Sequence, residues 1–358
     1  MRLFSTEQVS KYHPDKYADQ ISDAILDAAL NKNKNARVAA ETLVKDKIVI
    51  VAGETSEDFS KEEIETIVKG VAFKLRYEVE SVINLLGKQS QQINHAVDGN
   101  NADDPAAGDQ GIMFGYATSE TPSYLPFGFH IANNIIKHIE HYADEGKIFK
   151  GDAKVQVTVD MDKYPRESIH TILVSACHYE DIDERIVKKT IQDIILNILK
   201  FNECKNINEV KIIANPSGVW TIGGPIADSG LTGRKIVCDQ YGGYVPVGGG
   251  AFSGKDPSKV DRSGSYAARE IAVRTLEKFV SKGLTGIQIQ VAYGIGIKEP
   301  LSVNTLLFGY LEAETQKEIQ EYIKRIELTP GSIIKRLGLK DLKYSEIAGG
   351  CHYYGKHW

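Results

Sequence analysis

Three copies of one pattern along the 358-residue chain constrain its fold more than any other sequence feature. Each copy has two strand-like segments with alternating polar and apolar residues, followed by a segment whose apolar residues recur at helical spacing. The strand pairs occupy 36–44 with 47–55, then "AKVQVTVDM" with "SIHTILVSACHY", then "GIQIQVAYGIG" with "SVNTLLFGY". The helices predicted to follow them cover 61–82, 183–200 and 315–326.

This repeat, with a spacing of roughly 115 to 135 residues, predicts an α+β fold of three similar strand-strand-helix domains in a pseudo-threefold arrangement. We place the domains at 1–100, 101–222 and 223–358. Further helices are predicted over 14–31, 128–145 and 263–280. The alternation gives each sheet two faces, of which one covers the local helices. The other face has to be buried between domains or against a second subunit.

The composition excludes several classes of function. Hydrophobic residues make up 42% and charged residues 25%, as in a soluble globular protein. The net charge of -5 argues against a nucleic-acid-binding protein that depends on bulk positive charge. The N-terminal stretch has no apolar core flanked by a cleavage site, so we expect no signal peptide, and no apolar run approaches the roughly 18 residues of a membrane span. The four cysteines form no C-x-x-C pair, which favours buried thiols in a reducing compartment, and we expect a cytoplasmic protein.

The stretch "GGGAFSGKDPSKVDRS", residues 248–263, nearly matches a phosphate-binding Walker A loop. Gly249 to Lys255 supply G-x-x-x-x-G-K, but Asp256 stands where a Ser or Thr would ligate Mg²⁺. The preceding "GGYVPVGGG" is unlike the buried parallel strand that such a loop follows. A P-loop kinase or ATPase is therefore disfavoured. The alternative is a Gly-rich segment followed by separated lysines, with Asp261 available to bind a metal ion.

Three other segments concentrate polar residues and glycines. "HPDK", 13–16, places an imidazole, a carboxylate and an ammonium at a predicted helix start, which favours anions, although a solvated helix cap is the plainer interpretation. "GDQG", 108–111, is by itself only a turn. In the segment 215–235, glycines allow a close backbone approach and Trp220 offers a flat surface for a base, although a surface hairpin with a basic end also fits.

The lysines, arginines and carboxylates of these segments suit a polyphosphate held by side chains and Mg²⁺, which predicts a Mg-nucleotide enzyme and leaves its reaction open. The segments also closely resemble the signatures of the S-adenosylmethionine synthetase (methionine adenosyltransferase) family. The matching stretches are "HPDK", "GDQGIMFGYAT", "IGGPIADSGLTGRK" and "GGGAFSGKDPSKVDRS". The similarity covers nearly the whole chain in the family's order. It implies three similar α+β domains, in agreement with the repeat.

The resemblance implies that ATP and L-methionine give S-adenosylmethionine, and that the triphosphate is split to pyrophosphate and phosphate. The thioether sulfur is already a neutral nucleophile, so its attack on C5′ needs no general base. The step needs in-line positioning and stabilisation of the leaving triphosphate. The chemistry therefore accounts for lysines, an arginine, a histidine and Mg²⁺ in place of a nucleophile-base pair.

The resemblance also implies roles for individual positions. The residues implied at the phosphates are His13, Lys154, Arg234, Lys235 and Lys255. ATP binding adds Asp152 at the ribose, Trp220 at the base, Asp228 and Ala251. The implied methionine-binding residues are Glu54, Gln89, Asp228 and Lys259, with Lys259 at the carboxylate. The implied metal ligands are Asp15 and Asp261 for two Mg²⁺ ions per site, and Glu41 for K⁺.

The chain departs from the family at several positions. The family usually has Phe where Trp220 stands, and the larger ring should still stack on adenine. Gln91-Gln92 replaces a usual Pro-Asp, and His95-Ala96 replaces a usual Gln-Gly, in the family's mobile lid over the active site. We therefore expect the opening and stiffness of that lid to differ here.

Family members place the active site between two subunits, commonly in a dimer of dimers, so the resemblance implies a homo-oligomer and neither a nucleic-acid nor a membrane partner. Two alternatives from other classes stay open. One is the P-loop kinase or ATPase, which would turn over ATP without methionine. The other is an inactive nucleotide-binding or scaffold protein on the same fold. The charged residues that argue against inactivity are His13, Asp15, Lys154, Lys235 and Lys255.

Overall fold

The computed structural model describes residues 1–88, 105–354 and 358. The strands in this part of the chain are β1 (Leu3–Val9), β2 (Val38–Lys45), β3 (Ile48–Thr55), β4 (Ser81–Lys88), β5 (Gly111–Thr118), β6 (Phe149–Asp160), β7 (Ile169–His178), β8 (Lys211–Ala214), β9 (Gly230–Leu231), β10 (Leu284–Tyr293) and β11 (Ser302–Gly309). The helices are α1 (Pro14–Lys32), α2 (Lys61–Lys74), α3 (Phe127–Asp144), α4 (Glu184–Phe201), α5 (Gly224–Ala227), α6 (Ile236–Asp239), α7 (Val260–Phe279), α8 (Ala313–Lys324) and α9 (Pro330–Arg336).

Each of the three sheets is built on one predicted hairpin, β2–β3, β6–β7 or β10–β11. The strand orders are β4-β3-β2-β9, β1-β6-β7-β8 and β11-β10-β5. Beside each hairpin lies a strand from another unit, because β1 pairs with β6, β5 with β10 and β9 with β2, all antiparallel. The three units therefore exchange their first strands in a cycle. The predicted α+β fold of three similar units is confirmed, and the exchange joins the units in one molecule.

Local sequence signals explain where the helices begin and what they bury. His13 caps α1 and Pro14 occupies its first turn, and α2 begins with a capping box formed by Ser60 and Glu63. α4 buries an apolar stripe that includes Val187 and Ile191, while its other side faces solvent. Buried apolar side chains from all three units form one contiguous core. No helix in the described part of the chain is long and apolar enough to cross a bilayer.

The helix predicted over 61–82 is wrong in its second half. α2 ends at Lys74, Arg76 has a left-handed φ of 58°, and β4 begins at Ser81 and runs parallel to β3. Leu75, Val79 and Val82 continue the apolar spacing of the helix, so sequence spacing alone does not locate its end. The other predicted helices lie close to their bounds, although α7 begins at Val260. The stretch 98–111, which is dense in Gly, Asn, Asp and Pro, also predicts a long loop; its residues 98–104 lie outside the described part, and Gly111 already belongs to β5.

Two sheets carry exposed apolar side chains on the face turned away from the helices, which we call the outer faces. On the sheet of β2, β3 and β4, the outer face has Leu43, Ile48, Ile83 and Leu85, which are 38% to 62% exposed. The sheet of β5, β10 and β11 has Ile112, Leu306 and Phe308 on its outer face, which are 44% to 51% exposed. Apolar patches of this kind mark interaction surfaces.

Candidate active site

A cavity of about 440 Å³ lies where α1 begins, beside β6 and β7 and the segment that leads into α5. Its polar lining includes five residues that the sequence analysis singled out: His13, Asp152, Lys154, Trp220 and Asp228. These residues come from four separate stretches of the chain, and the fold brings them together. We call this cavity the nucleotide pocket.

His13 is held in one tautomer at the start of α1. Its Nδ1 accepts the backbone N–H of Asp15 at 3.1 Å, so the proton of the neutral ring lies on Nε2. Burial and the cation of Lys235 together lower the pKa of His13 to about 4, against the opposing effect of Asp15. The ring is therefore neutral near pH 7 and can donate a hydrogen bond through Nε2.

Asp15 connects the start of α1 to the segment that carries Arg234 and Lys235. Its buried carboxylate accepts the Leu231 N–H at 3.0 Å and the Lys235 ammonium at 2.5 Å, and the Arg234 guanidinium lies 3.7 Å away. Burial acts to raise the pKa of Asp15, but the bonds from Lys235 and Leu231 bring it below its ordinary value. Asp15 is therefore an anion with two cations beside it.

Asp152, on β6, is the buried acid of the nucleotide pocket. It is 7% exposed and accepts the Gly224 N–H at 2.7 Å. Burial raises the pKa of Asp152 to about 6, although the Gly224 bond opposes this. A Cβ on Gly223 would lie 3.1 Å from its Oδ2, so this glycine allows the close approach.

The side chains of Lys154 and Trp220 are each restrained by a polar contact at the pocket wall. The ammonium of Lys154 on β6 pairs at 2.7 Å with Glu7 on β1, the neighbouring strand that comes from the first unit. The indole N–H of Trp220 donates to the Ile222 carbonyl at 2.7 Å, which fixes the orientation of its ring. The pocket therefore offers a cation and an aromatic surface in defined positions.

A second group of predicted residues, the Lys255 cluster, lies at the edge of β2. The ammonium of Lys255 pairs with Asp261 at 2.5 Å. Ala39 of β2 is paired with Glu54 of β3 on one side and bridges Lys255 on the other. Because residues paired across strands project to the same face, Glu54 and Lys255 lie on the outer face. Glu41, two residues along β2 from Ala39, is exposed on this same face.

Asp256, which breaks the Walker A pattern, is a buried structural anchor. It is 0% exposed and accepts the N–H groups of Val38 at 2.8 Å and Ser258 at 2.9 Å. Its carboxylate also pairs with the ammonium of Lys259 and lies 3.6 Å from the Arg37 guanidinium. Burial acts to raise the pKa of Asp256, but these two cations bring it below its ordinary value. The carboxylate is therefore turned into the protein, which accounts for an acid at this position.

The structure separates the predicted residues into two groups. Within the described residues, no hydrogen bond or ion pair joins the nucleotide pocket and its Asp15 neighbours to the Lys255 cluster. The groups approach each other where Ala251 lies against Gly233, whose added Cβ would meet the Ala251 Cβ at 2.6 Å. Gln89 and the departures at 91–92 and 95–96 lie outside the described residues.

The carboxylates near the lysines are suited to Mg²⁺ that is also coordinated by the phosphates of a substrate. Among the described residues, no group of three or more His, Cys, Asp or Glu side chains could hold a metal ion. Mg²⁺ is usually held by one or two carboxylates together with substrate phosphates, and not by an all-protein cage. Asp15 and Asp261 each offer such a carboxylate beside a lysine.

Three residues that hold the site together were not predicted from the sequence. Asp19 and Asp23 of α1 and Arg262 of α7 are fully buried and reach the segments that carry Lys235 and Lys255. A signal was present in the sequence, since acids recur at every fourth position from Asp15, but charged rows on helices usually face solvent.

The fold is that of a three-unit α+β protein, and its cavity has the cations and the aromatic surface that suit a nucleotide polyphosphate. Family models of S-adenosylmethionine synthetase match the chain throughout: the N-terminal domain at residues 1–99, the central domain at 104–220 and the C-terminal domain at 222–358. An S-adenosylmethionine synthase of Borreliella afzelii is 39% identical over 98% of this chain and 92% of its own length. Another, of Borrelia garinii subsp. bavariensis, is 40% identical over 96% and 90%.

A solved structure described as an unusual S-adenosylmethionine synthetase from Campylobacter jejuni has a TM-score of 0.87 and 32% identity. The match covers 99% of this chain and 95% of that one. The chain therefore belongs to the S-adenosylmethionine synthetase family, and it is a methionine adenosyltransferase that makes S-adenosylmethionine from ATP and L-methionine. The expectation from the sequence is confirmed for family, fold and activity.

Proposed function

We propose that the nucleotide pocket and the Lys255 cluster are the two halves of the active site for this reaction. The observation that carries the proposal is the assembly of His13, Asp152, Lys154, Trp220 and Asp228 around one cavity. Asp15 lies 3.8 Å from His13 and has Lys235 and Arg234 beside it. In this assignment Trp220 receives the adenine, Asp152 the ribose, and the cations the triphosphate. The methionine sulfur attacks C5′, and the bond from C5′ to the triphosphate oxygen breaks.

The protein's task at the phosphates is to supply fixed positive charge and hydrogen-bond donors. His13 donates from Nε2 as a neutral ring, while Lys154, Arg234, Lys235 and Lys255 provide cations. Each of the three lysines already lies within 2.7 Å of a carboxylate, which keeps its ammonium at the site before substrate binds. Preorganised charges of this kind stabilise a leaving group without rearrangement during the step. No proton transfer is needed when the neutral sulfur attacks.

Mg²⁺ and K⁺ are part of the proposal. Asp15 and Asp261 would hold two Mg²⁺ ions per site, which when bound neutralise part of the triphosphate charge. Glu41 would hold K⁺, since its exposed carboxylate is an oxygen ligand on the same outer face as Glu54 and Lys255. The residues proposed for methionine are Glu54, Gln89, Asp228 and Lys259, and Ala251 would line the nucleotide site through its backbone.

We further propose that two subunits join through the outer faces and complete the site, in a dimer of dimers. The outer face of β2, β3 and β4 carries apolar residues together with Glu54 and Lys255, so a partner on it would also lie against these charged groups.

We also propose domain boundaries at 1–100, 101–222 and 223–358. A cytoplasmic location is proposed as well, because the four cysteines are buried free thiols, as is usual in a reducing compartment.

The test is incubation of the full chain with ATP, Mg²⁺ and K⁺, with and without L-methionine. S-adenosylmethionine is read by mass spectrometry, and phosphate products are read in parallel. We expect methionine-dependent S-adenosylmethionine with pyrophosphate and phosphate, and a requirement for both ions. Release of ADP and phosphate without methionine would favour a kinase or ATPase. Nucleotide binding without turnover would favour the inactive scaffold.

A further inference from the structure

Helix α1 carries aspartates at every fourth position, Asp15, Asp19, Asp23 and Asp27, so their carboxylates follow one face of the helix. Together the four carboxylates accept backbone N–H groups from three distant segments of the chain. The acceptors and donors are Asp15 with Leu231 at 3.0 Å, Asp19 with Gly233 at 2.9 Å, Asp23 with Gly254 at 2.8 Å, and Asp27 with Tyr344 at 2.7 Å and Ser345 at 3.0 Å. These four aspartates, which we call the acidic row, face the interior and hold the backbone of these segments against α1.

Asp19 restrains the segment that carries Arg234 and Lys235. One oxygen of its fully buried carboxylate accepts the Gly233 N–H, and the other pairs with Lys16 at 2.9 Å. Lys16 is equally buried and also pairs with Asp239 of α6 at 2.5 Å. The Gly233 backbone, one residue before Arg234, is therefore held from the interior by a charged network that solvent does not reach.

Asp23 restrains the segment that carries Lys255, and it does so from the next turn of the same helix. One oxygen accepts the Gly254 N–H, and the other pairs with the Arg262 guanidinium at 2.6 Å. A second nitrogen of Arg262 donates to the carbonyl of Lys255 itself at 3.0 Å. Gly254 has a φ of 80°, and an added Cβ would lie 1.9 Å from the Ala40 carbonyl oxygen, so this residue has to be glycine.

We propose that Asp19, Asp23 and Arg262 are positioning residues that hold the Lys235 and Lys255 segments at a fixed separation through one helix. The inference rests on the proposed roles of these two lysines. The buried acids and Arg262 do not reach the substrate, so they act through the backbone that carries the cations. Buried ion pairs contribute little net stability compared with apolar residues of the same size, which makes a geometric role the better account of this network.

The first test is Arg262→Lys, which keeps a cation beside Asp23 and loses the bond to the Lys255 carbonyl. We expect kcat to fall about tenfold or more, because small misplacements of a catalytic group are costly. KM for ATP and for L-methionine should change by no more than about twofold. The matched control is Arg336→Lys. Arg336 donates to the Glu270 carboxylate at 3.1 Å and to the Glu327 carbonyl at 2.8 Å, and neither partner belongs to the segments that carry Lys235 and Lys255. The kcat of Arg336→Lys should therefore equal that of the unchanged protein.

A double-mutant cycle separates positioning from a general structural effect. If Arg262 acts through Lys255, then Arg262→Lys combined with Lys255→Met should be no slower than Lys255→Met alone. Additive losses, or an unchanged kcat in Arg262→Lys, would overturn the inference. An unchanged kcat in Lys255→Met would contradict the proposed role of Lys255 instead, so the two failures are distinguishable.

If Arg262→Lys does not fold, Asp19→Leu carries the same test at the other segment. It removes the acceptor of the Gly233 N–H and leaves Lys16 with Asp239 as a balanced pair. We expect a loss of kcat that is not additive with Lys235→Met. Additivity, or a kcat equal to that of the unchanged protein, would count against the inference.

Discussion

Burial decides the protonation of single residues in the nucleotide pocket. The pKa of His13 is lowered to about 4, and that of Asp152 is raised to about 6. His13 therefore contributes no positive charge near neutral pH, and the cations at the phosphates are lysines and an arginine. Asp152 is ionised at pH 7 but changes its charge within the range in which the enzyme can be assayed.

The raised pKa of Asp152 predicts a pH dependence of nucleotide binding. If the ribose hydroxyls bind the ionised carboxylate, protonation below pH 6 removes the competent form, and at pH 5 the Kd for ATP should be about tenfold weaker than at pH 8. The Asp152→Asn variant cannot ionise, so it should lack this dependence. The Kd for ATP of both proteins is measured by calorimetry in the same buffers. Because protonation of ATP affects both proteins equally, the ratio of their Kd values reports on Asp152 alone. Parallel pH profiles for the two proteins would show that Asp152 does not control binding.

At the scale of elements, the glycine-rich segment before Lys255 is a packing requirement for Asp261. A Cβ on Gly250 would lie 2.0 Å from the Asp261 carboxyl carbon, whereas a Cβ on Gly249 would meet nothing within 4 Å. The segment therefore leaves room for the carboxylate that pairs with Lys255. The two glycines that give the resemblance to a Walker A loop differ, because Gly249 has open space around it, whereas Gly254 has a φ of 80° and an added Cβ there would lie 1.9 Å from the Ala40 carbonyl oxygen.

Gly250→Ala should displace Asp261 and lower kcat about 100-fold, the scale of a misplaced catalytic group, and it should raise the Mg²⁺ concentration needed for activity. Gly249→Ala is the matched control, one residue away in the same segment, and should keep kcat within about twofold. Steady-state kinetics with a Mg²⁺ titration compares them. Equal kinetics of the two variants would mean that the position of Asp261 does not matter.

At the scale of the whole molecule, the cyclic exchange of strands makes the three units depend on one another. β1 of the first unit lies in the sheet of the second, where Glu7 pairs with Lys154. The same architecture leaves the outer faces uncovered in a single chain. Assembly through these faces would bury them and bring a second copy to the Lys255 cluster.

Leu85→Glu tests that assembly, because Leu85 is 62% exposed on the outer face. A charge there should prevent a partner from packing, so we expect light scattering to give a smaller assembly than that of the unchanged protein, at least about a tenfold loss of activity, and an unchanged far-UV circular dichroism spectrum. Ile186→Glu is the control, on α4 and 51% exposed, and should leave assembly and activity unchanged. An intact, active oligomer of Leu85→Glu would refute the proposed interface.

Local patterns in the sequence were sufficient for the repeat, the α+β class and most helix bounds, because hydrophobic period and capping are properties of neighbouring residues. The helix predicted over 61–82 shows where this stops, since Arg76 changes the backbone direction while the apolar spacing continues. The segments around His13, Arg234 and Lys255 were found for the same local reason, as unusual mixtures of charge and glycine.

What the tertiary structure alone decided depends on contacts between residues far apart in the chain. Spacing does not show that β9 joins β2, or that α1 turns its acidic row inward towards Gly233 and Gly254. From the sequence, the Asp256 carboxylate could be solvated or could bind a metal ion. The structure shows that it is buried and bonded to Val38 and Arg37. The sequence by itself therefore determined the three units and the chemistry of their charged segments. Contacts between residues far apart in the chain decided which charged side chains line the proposed site and which are buried and hold the backbone in place.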